Sequence, residues 1–138
     1  MAEEINNILA VVDTFLRRVF VDMGDKIKDV DLPVTPQDIK ILMVIYKHEA
    51  VSISYLASRI HRDKSQVTRK VKEFESSGIL SRKSSEKDQR VTILELTPLG
   101  LQTAKKVERI LHGVLENILK PLSQSEKTNL AALLQKIS

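Results

Sequence analysis

The stretch "DKSQVTRKVKEFESSGILSRKSSEKDQRVTILELTPLG", residues 63–100, decides the fold. It opens on Asp63, a residue that can cap a helix start, with Gln66 placed as in a capping box. Val67, Val71 and Phe74 then recur at helical spacing. At 100° per residue, Ser65, Arg69, Lys72 and Ser76 fall on the opposite side, with Thr68 at its flank. Gly78 suits the end of that helix. Two short runs follow, "ILSRK" and "VTILEL". In the second, Val91, Ile93 and Glu95 alternate with Thr92, Leu94 and Leu96, so the two runs read as a β-hairpin. A tight turn between them would want Asn-Gly or Asp-Gly. Residues 84–90 hold neither Gly nor Pro and carry Glu86, Lys87, Asp88 and Arg90 instead. This connection is built for charge rather than for tightness.

Working outward, Thr35-Pro36 starts a helix whose apolar face is Ile39, Leu42, Met43, Val44 and Ile45 or Tyr46. Ser52 can cap a short helix with Ile53, Leu56, Ala57 and Ile60 facing inward. "HRDKS" joins it tightly to the helix that begins at Asp63. Residues 4–28 form a long amphipathic helix, with Ile5, Ile8, Leu9, Val12, Phe15, Leu16, Val19, Phe20, Met23 and Ile27 on its stripe. After the hairpin, Thr97-Pro98 starts another long helix, striped by Leu101, Ala104, Val107, Ile110 or Leu111, Val114 or Leu115, and Ile118. Pro121 ends it. Ser123 and Glu126 make a capping box for a last helix carrying Leu130, Leu133, Leu134 and Ile137.

The chain has 138 residues, 42% hydrophobic and 29% charged, enough apolar material for the core of one domain. No apolar run is long enough to cross a membrane, and "MAEEINN" lacks the features of a signal peptide. There is no cysteine, which excludes disulfides and thiolate zinc sites in this chain. A cytoplasmic location is expected. The formal net charge is +4. From Arg59 to Arg90 ten Lys/Arg face five Asp/Glu, so this segment alone exceeds the whole net charge.

Three helices followed by a hairpin, in residues 35–96, is a winged helix-turn-helix. The expected fold class is mainly α with a small β-hairpin wing. In such a unit the second helix of the helix-turn-helix enters the major groove of double-stranded DNA. Here its free face offers Ser65, Gln66, Thr68, Arg69 and Lys72. Arg69 can pair bidentately with guanine, Gln66 can pair with adenine, and Lys72 suits a phosphate. The charged connection then has a purpose. A wing entering the minor groove needs a cation at its tip, because the narrow groove concentrates negative potential. Lys87 and Arg90 are the candidates. Asp88 cannot favour phosphate itself; it can orient Arg90 or pair with Arg82 at the base of the hairpin.

Ser65, Thr68-Arg69, Gly78, Ile79-Leu80, Arg82, Asp88-x-Arg90, Leu96-Thr97 and Gly100 stand at the spacing of the MarR family of transcription regulators, which the chain resembles over essentially its whole length. Phe74 departs from that pattern, which usually has Leu there. The resemblance implies Arg90 as the minor-groove residue and Asp88 as its support. It also implies a homodimer whose interface comes from the flanking helices, residues 1–34 and 97–138. Two recognition helices would then read a pseudo-palindromic operator, with repression the expected sign. Many members respond to a small-molecule effector, but no ligand pocket can be placed from this sequence.

Other readings are weaker. Phe15, Arg17, Arg18 and Phe20 could line a pocket, but helical apolar stripes are usually packing surface, and a dimer seam is the preferred reading. His48, His61 and His112 are far apart without metal-ligand spacing, so no metal site or cofactor is expected. No catalytic constellation is present, and no enzyme is expected. A winged helix that binds only protein would not need the set Arg69, Arg82 and Arg90.

Overall fold

The computed structural model describes residues 1–138. Six helices and three short strands follow in the order α1 (Ala2–Asp29), α2 (Ile39–Lys47), β1 (Val51–Ser52), α3 (Ile53–Ile60), α4 (Lys64–Ser76), β2 (Leu80–Ser84), β3 (Thr92–Leu96), α5 (Pro98–Ile118) and α6 (Gln124–Ile137). A single 3₁₀ turn, Pro36–Asp38, leads into α2. No helix is long and apolar enough to cross a membrane.

The winged helix-turn-helix stands as expected, with one strand more. Val51 and Ser52 pair antiparallel with Leu94 and Ile93, so the sheet has the order β1-β3-β2. β3 is therefore central at its base, and Ile93 and Leu94 are both buried although they point to opposite faces. Val91, expected as the first residue of the second strand, is exposed and lies just outside it.

The core lies beneath this sheet. Ile41, Leu42, Leu56, Val67, Val71, Ile79 and Val107 are essentially inaccessible, and the far end of α1 joins them through Met23 and Ile27. Ile41, absent from the expected stripe of α2, is among the most buried of these. It is covered because α2 packs against both α3 and α5.

The outer helices are different. Ile5, Ile8, Leu9, Val12, Phe15, Leu16 and Phe20 on α1 are exposed, as are Leu133, Leu134 and Ile137 on α6. α6 buries no residue, although the Ser123–Glu126 capping box closes its start as expected. These stripes have no cover within one chain.

Helix α5 is tied to the wing by a compact knot. Thr97 donates its backbone N–H to Ile79 O at 3.0 Å, and its hydroxyl donates to the Gly78 carbonyl. The same hydroxyl accepts the Gly100 N–H at 3.1 Å, capping α5. Gly100 lies so close to Ile79 that a Cβ would stand 2.0 Å from the Ile79 oxygen.

Candidate nucleic-acid interface

Helix α4 is held by one carboxylate at its start and one apolar stripe along its length. Asp63 Oδ1 accepts the Ser65 N–H at 2.8 Å, the Gln66 N–H at 3.3 Å and the Ser65 hydroxyl. The expected capping box is thus only half present. A single Asp63 oxygen gathers all these donors, and Gln66 stays exposed with its side chain free. Val67, Val71 and Phe74 are buried against the core, as their spacing predicts.

That burial turns Ser65, Gln66, Arg69 and Lys72 outward, all exposed, with Thr68 half-buried at the flank. Thr68 returns its hydroxyl proton to Lys64 O at 2.7 Å. Neither Arg69 nor Lys72 takes part in any ion pair, whereas Lys70, on the inner flank, is paired.

The wing is organised by short-range hydrogen bonds. Ser85 N–H donates to Val91 O at 2.8 Å, and Val91 N–H donates to Asp88 O at 3.0 Å. The Ser85 hydroxyl accepts the Lys87 and Asp88 amides at 3.2 and 3.4 Å. Asp88 Oδ1 accepts both the backbone N–H of Arg90 at 3.0 Å and its Nε–H at 3.2 Å. Of the two partners that sequence allows Asp88, the structure selects Arg90. Arg82 pairs elsewhere: its Nε–H donates to Glu75 Oε1 at 2.6 Å, joining β2 to the last turn of α4. Lys83 pairs with Glu95 across the hairpin, which raises its ammonium above the ordinary lysine value.

The ten cations between Arg59 and Arg90 thus divide in two. Lys70, Arg82, Lys83 and Arg90 have carboxylate partners, while Arg59, Arg62, Lys64, Arg69, Lys72 and Lys87 have none. The unpaired ones follow α3, the turn before α4, the outer face of α4 and the wing tip. Arg90 belongs with them in position, since its side chain is 92% exposed and its partner lies on its own loop. Arg59, Arg62 and Lys64 were not separated from the bulk charge by the sequence. Their signal was the run "RIHRDK", residues 59–64, beside a helix start.

Asp63 yields a pH prediction. The Ser65 hydroxyl, followed by the Gln66 and Ser65 amides, holds its carboxyl below the ordinary value of 3.8. A depressed folded value means that this cap stabilises fully above the unfolded value, and its contribution is lost as pH falls through the folded one. Asp63→Ala should speed amide exchange in the first turn of α4, leave the core amides protected, and make stability less sensitive to acid below about pH 4. Hydrogen exchange with pH-dependent melting measures all three.

Comparison with known proteins agrees with this geometry. The model of the MarR family matches residues 34–92. The HTH-type transcriptional regulator BilQ of Clostridium symbiosum is 34% identical over 96 residues, covering 68% of this chain and 67% of that protein. The uncharacterized HTH-type regulator YdgJ of Bacillus subtilis is 31% identical over 84 residues, 58% of this chain but only 51% of its own length. Against this second relative, the match spans about half of the other protein. Among solved structures, a mutant MarR from E. coli complexed with operator DNA superposes with a TM-score of 0.78 at 19% identity, covering 99% of this chain and 97% of that one. At that identity the likeness speaks for the fold.

Proposed function

The chain belongs to the MarR family, as a DNA-binding transcriptional regulator and not an enzyme, and from that premise we propose that it acts as a homodimer on a pseudo-palindromic operator. The observation that carries the DNA reading is the division of its cations. Of the ten between Arg59 and Arg90, the six without carboxylate partners lie on α3, the turn before α4, the start and outer face of α4 and the wing tip, where one duplex would meet them.

In this reading α4 is the recognition helix. Arg69 contacts a base edge, with Ser65, Gln66 and Thr68 beside it, and Lys72 contacts a phosphate. Lys87 and Arg90 carry the wing into the minor groove. Asp88 holds Arg90, and Arg82 steadies the wing through Glu75. The exposed stripes of α1 and α6 support the dimer, since a soluble chain rarely leaves so much contiguous apolar surface uncovered. In the dimer the two α4 helices would read half-sites about 34–36 Å apart. Repression is the proposed sign, with release by a small-molecule effector. Location in the cytoplasm follows from the DNA partner.

The test separates base reading from phosphate binding. Arg69→Ala should cost about 1–3 kcal/mol on the selected duplex and relax preference at one base-pair position. Lys72→Ala should weaken all duplexes alike and reduce the salt slope by about one unit. Affinity measured on a panel of single-base variants at several salt concentrations distinguishes the two. An Arg69→Ala loss that is uniform across the panel would assign Arg69 to phosphate alone.

A further inference from the structure

The proposed recognition helix has a second anchor besides its apolar stripe, and it is ionic. Asp38, in the turn that enters α2, has a side chain only 9% exposed. Its Oδ2 accepts the Thr35 hydroxyl at 2.9 Å and the Thr35 N–H at 3.3 Å. Its Oδ1 is fully buried and takes part in no hydrogen bond, so the ion pair with the Lys70 ammonium at 3.1 Å is what compensates it. Lys70 projects from the inner flank of α4, is 31% exposed, and also reaches Glu73 Oε2 at 3.1 Å. Asp38 first and Glu73 second raise the Lys70 ammonium above the ordinary lysine value, so it is charged throughout the neutral range.

This arrangement does something the apolar stripe cannot. Burial of Val67, Val71 and Phe74 holds α4 against the core, but the hydrophobic effect is non-directional and resists a small rotation about the helix axis weakly. An ion pair to a carboxylate that is itself fixed has direction. A rotation of roughly 10° moves a side chain about 6 Å from the helix axis by roughly 1 Å. A displacement of that size spoils a bidentate contact. The fixed end of the pair is also well placed. The turn that bears Asp38 packs against α1, where a Cβ on Gly24 would lie 3.8 Å from Pro36 Cγ.

We propose that Asp38 and Lys70 are a positioning pair that sets the rotation of α4, and so the sequence discrimination of Arg69, without touching DNA. The inference rests on α4 being the recognition helix. Because Lys70 is neutralised by two carboxylates and faces inward, it gives discrimination and contributes little to phosphate binding.

The test uses the full chain and a duplex that the protein itself selects from random-sequence DNA, with a scrambled duplex as reference. Asp38→Asn and Lys70→Met should each lower the ratio of the two affinities about tenfold, the share of one good base contact. The salt slope should not change. The double variant Asp38→Asn/Lys70→Met, which leaves no uncompensated buried charge, should fold and show the same roughly tenfold lower ratio as either single variant. Lys70→Arg should restore the ratio. Melting temperatures confirm that each variant is folded at the assay temperature.

Arg69→Ala is the control for the underlying reading. If it loses discrimination while the double variant keeps the full ratio, the pair only stabilises the fold and the inference is overturned. A salt slope reduced by Lys70→Met would make Lys70 a phosphate contact and overturn it too. If Arg69→Ala discriminates as the wild type does, Arg69 reads no base, and the inference falls together with that part of the proposed function.

Discussion

Arg90→Ala should weaken binding to the selected duplex by roughly ten- to a hundredfold, corresponding to about 1.5–3 kcal/mol for a charge-assisted contact. Stability should move by less than about 0.5 kcal/mol, as for other surface changes. The reason for the contrast is positional. The Arg90 side chain is 92% exposed and touches only Asp88 of its own loop, so folding does not depend on it. What it has is preparation. Asp88 Oδ1 accepts both the backbone amide and the Nε–H of Arg90, and the Ser85 hydroxyl and Val91 amide hold Asp88 in turn. A guanidinium already restrained loses less entropy on entering a groove. Asp88→Ala should therefore cost less than Arg90→Ala, about 0.5–1.5 kcal/mol, the ordering cost of one long side chain. Titration of both variants with melting curves checks the pair. Unchanged affinity for Arg90→Ala would place the wing away from the minor groove.

The second large effect is on folding. Gly100→Ala should destabilise by about 3 kcal/mol or more, from overpacking and loss of a cap hydrogen bond. That is on the order of ten degrees in melting temperature for a domain of this size. The new methyl would stand 2.0 Å from the Ile79 carbonyl oxygen and 3.3 Å from Leu96 Cβ. Neither backbone nor Cβ can swing aside as a flexible side chain does. α5 would have to move off Ile79 and the end of β3, and Thr97 would lose the Gly100 amide that it caps. Gly113→Ala is the matched control. A methyl there meets nothing within 4 Å inside this chain. At a helical position it should stabilise the folded chain by roughly 0.5–1 kcal/mol. Thermal unfolding of the two variants should show shifts of opposite sign. Equal, small shifts would mean that the close approach of α5 to Ile79 is not needed.

Periodicity served well wherever one residue's neighbours are local. The stripe Val67, Val71 and Phe74 predicts which face of α4 is buried, and its complement predicts where Arg69 and Lys72 point. The caps at Ser52, Thr97 and Ser123 lie within a few residues of what they cap and were equally readable. Contacts between distant elements were not. Val51–Ser52 is too short to announce itself as a strand. Its only trace is that Ile93 and Leu94 are consecutive apolar residues where a half-exposed strand would alternate. Arg82 has several acids within reach by sequence, and only the turn at Gly78 brings Glu75 to it. Asp38 reads as part of the helix start at Thr35-Pro36 and Lys70 as one more cation of the basic segment, because their pairing depends on how α4 lies across the start of α2. The stripes of α1 and α6 could be drawn in advance, but that they stay uncovered within one chain is visible only once the core is assembled.

Whether this chain reads one DNA sequence as a dimer is decided by fluorescence anisotropy. The protein is titrated onto its selected duplex and onto a scrambled one, at several salt concentrations. Two chains should bind each selected duplex, with affinity at least about a thousandfold above that for the scrambled one. On both duplexes log affinity should fall linearly with log salt. Equal affinity for the two duplexes, or saturation at one chain per site, would contradict it.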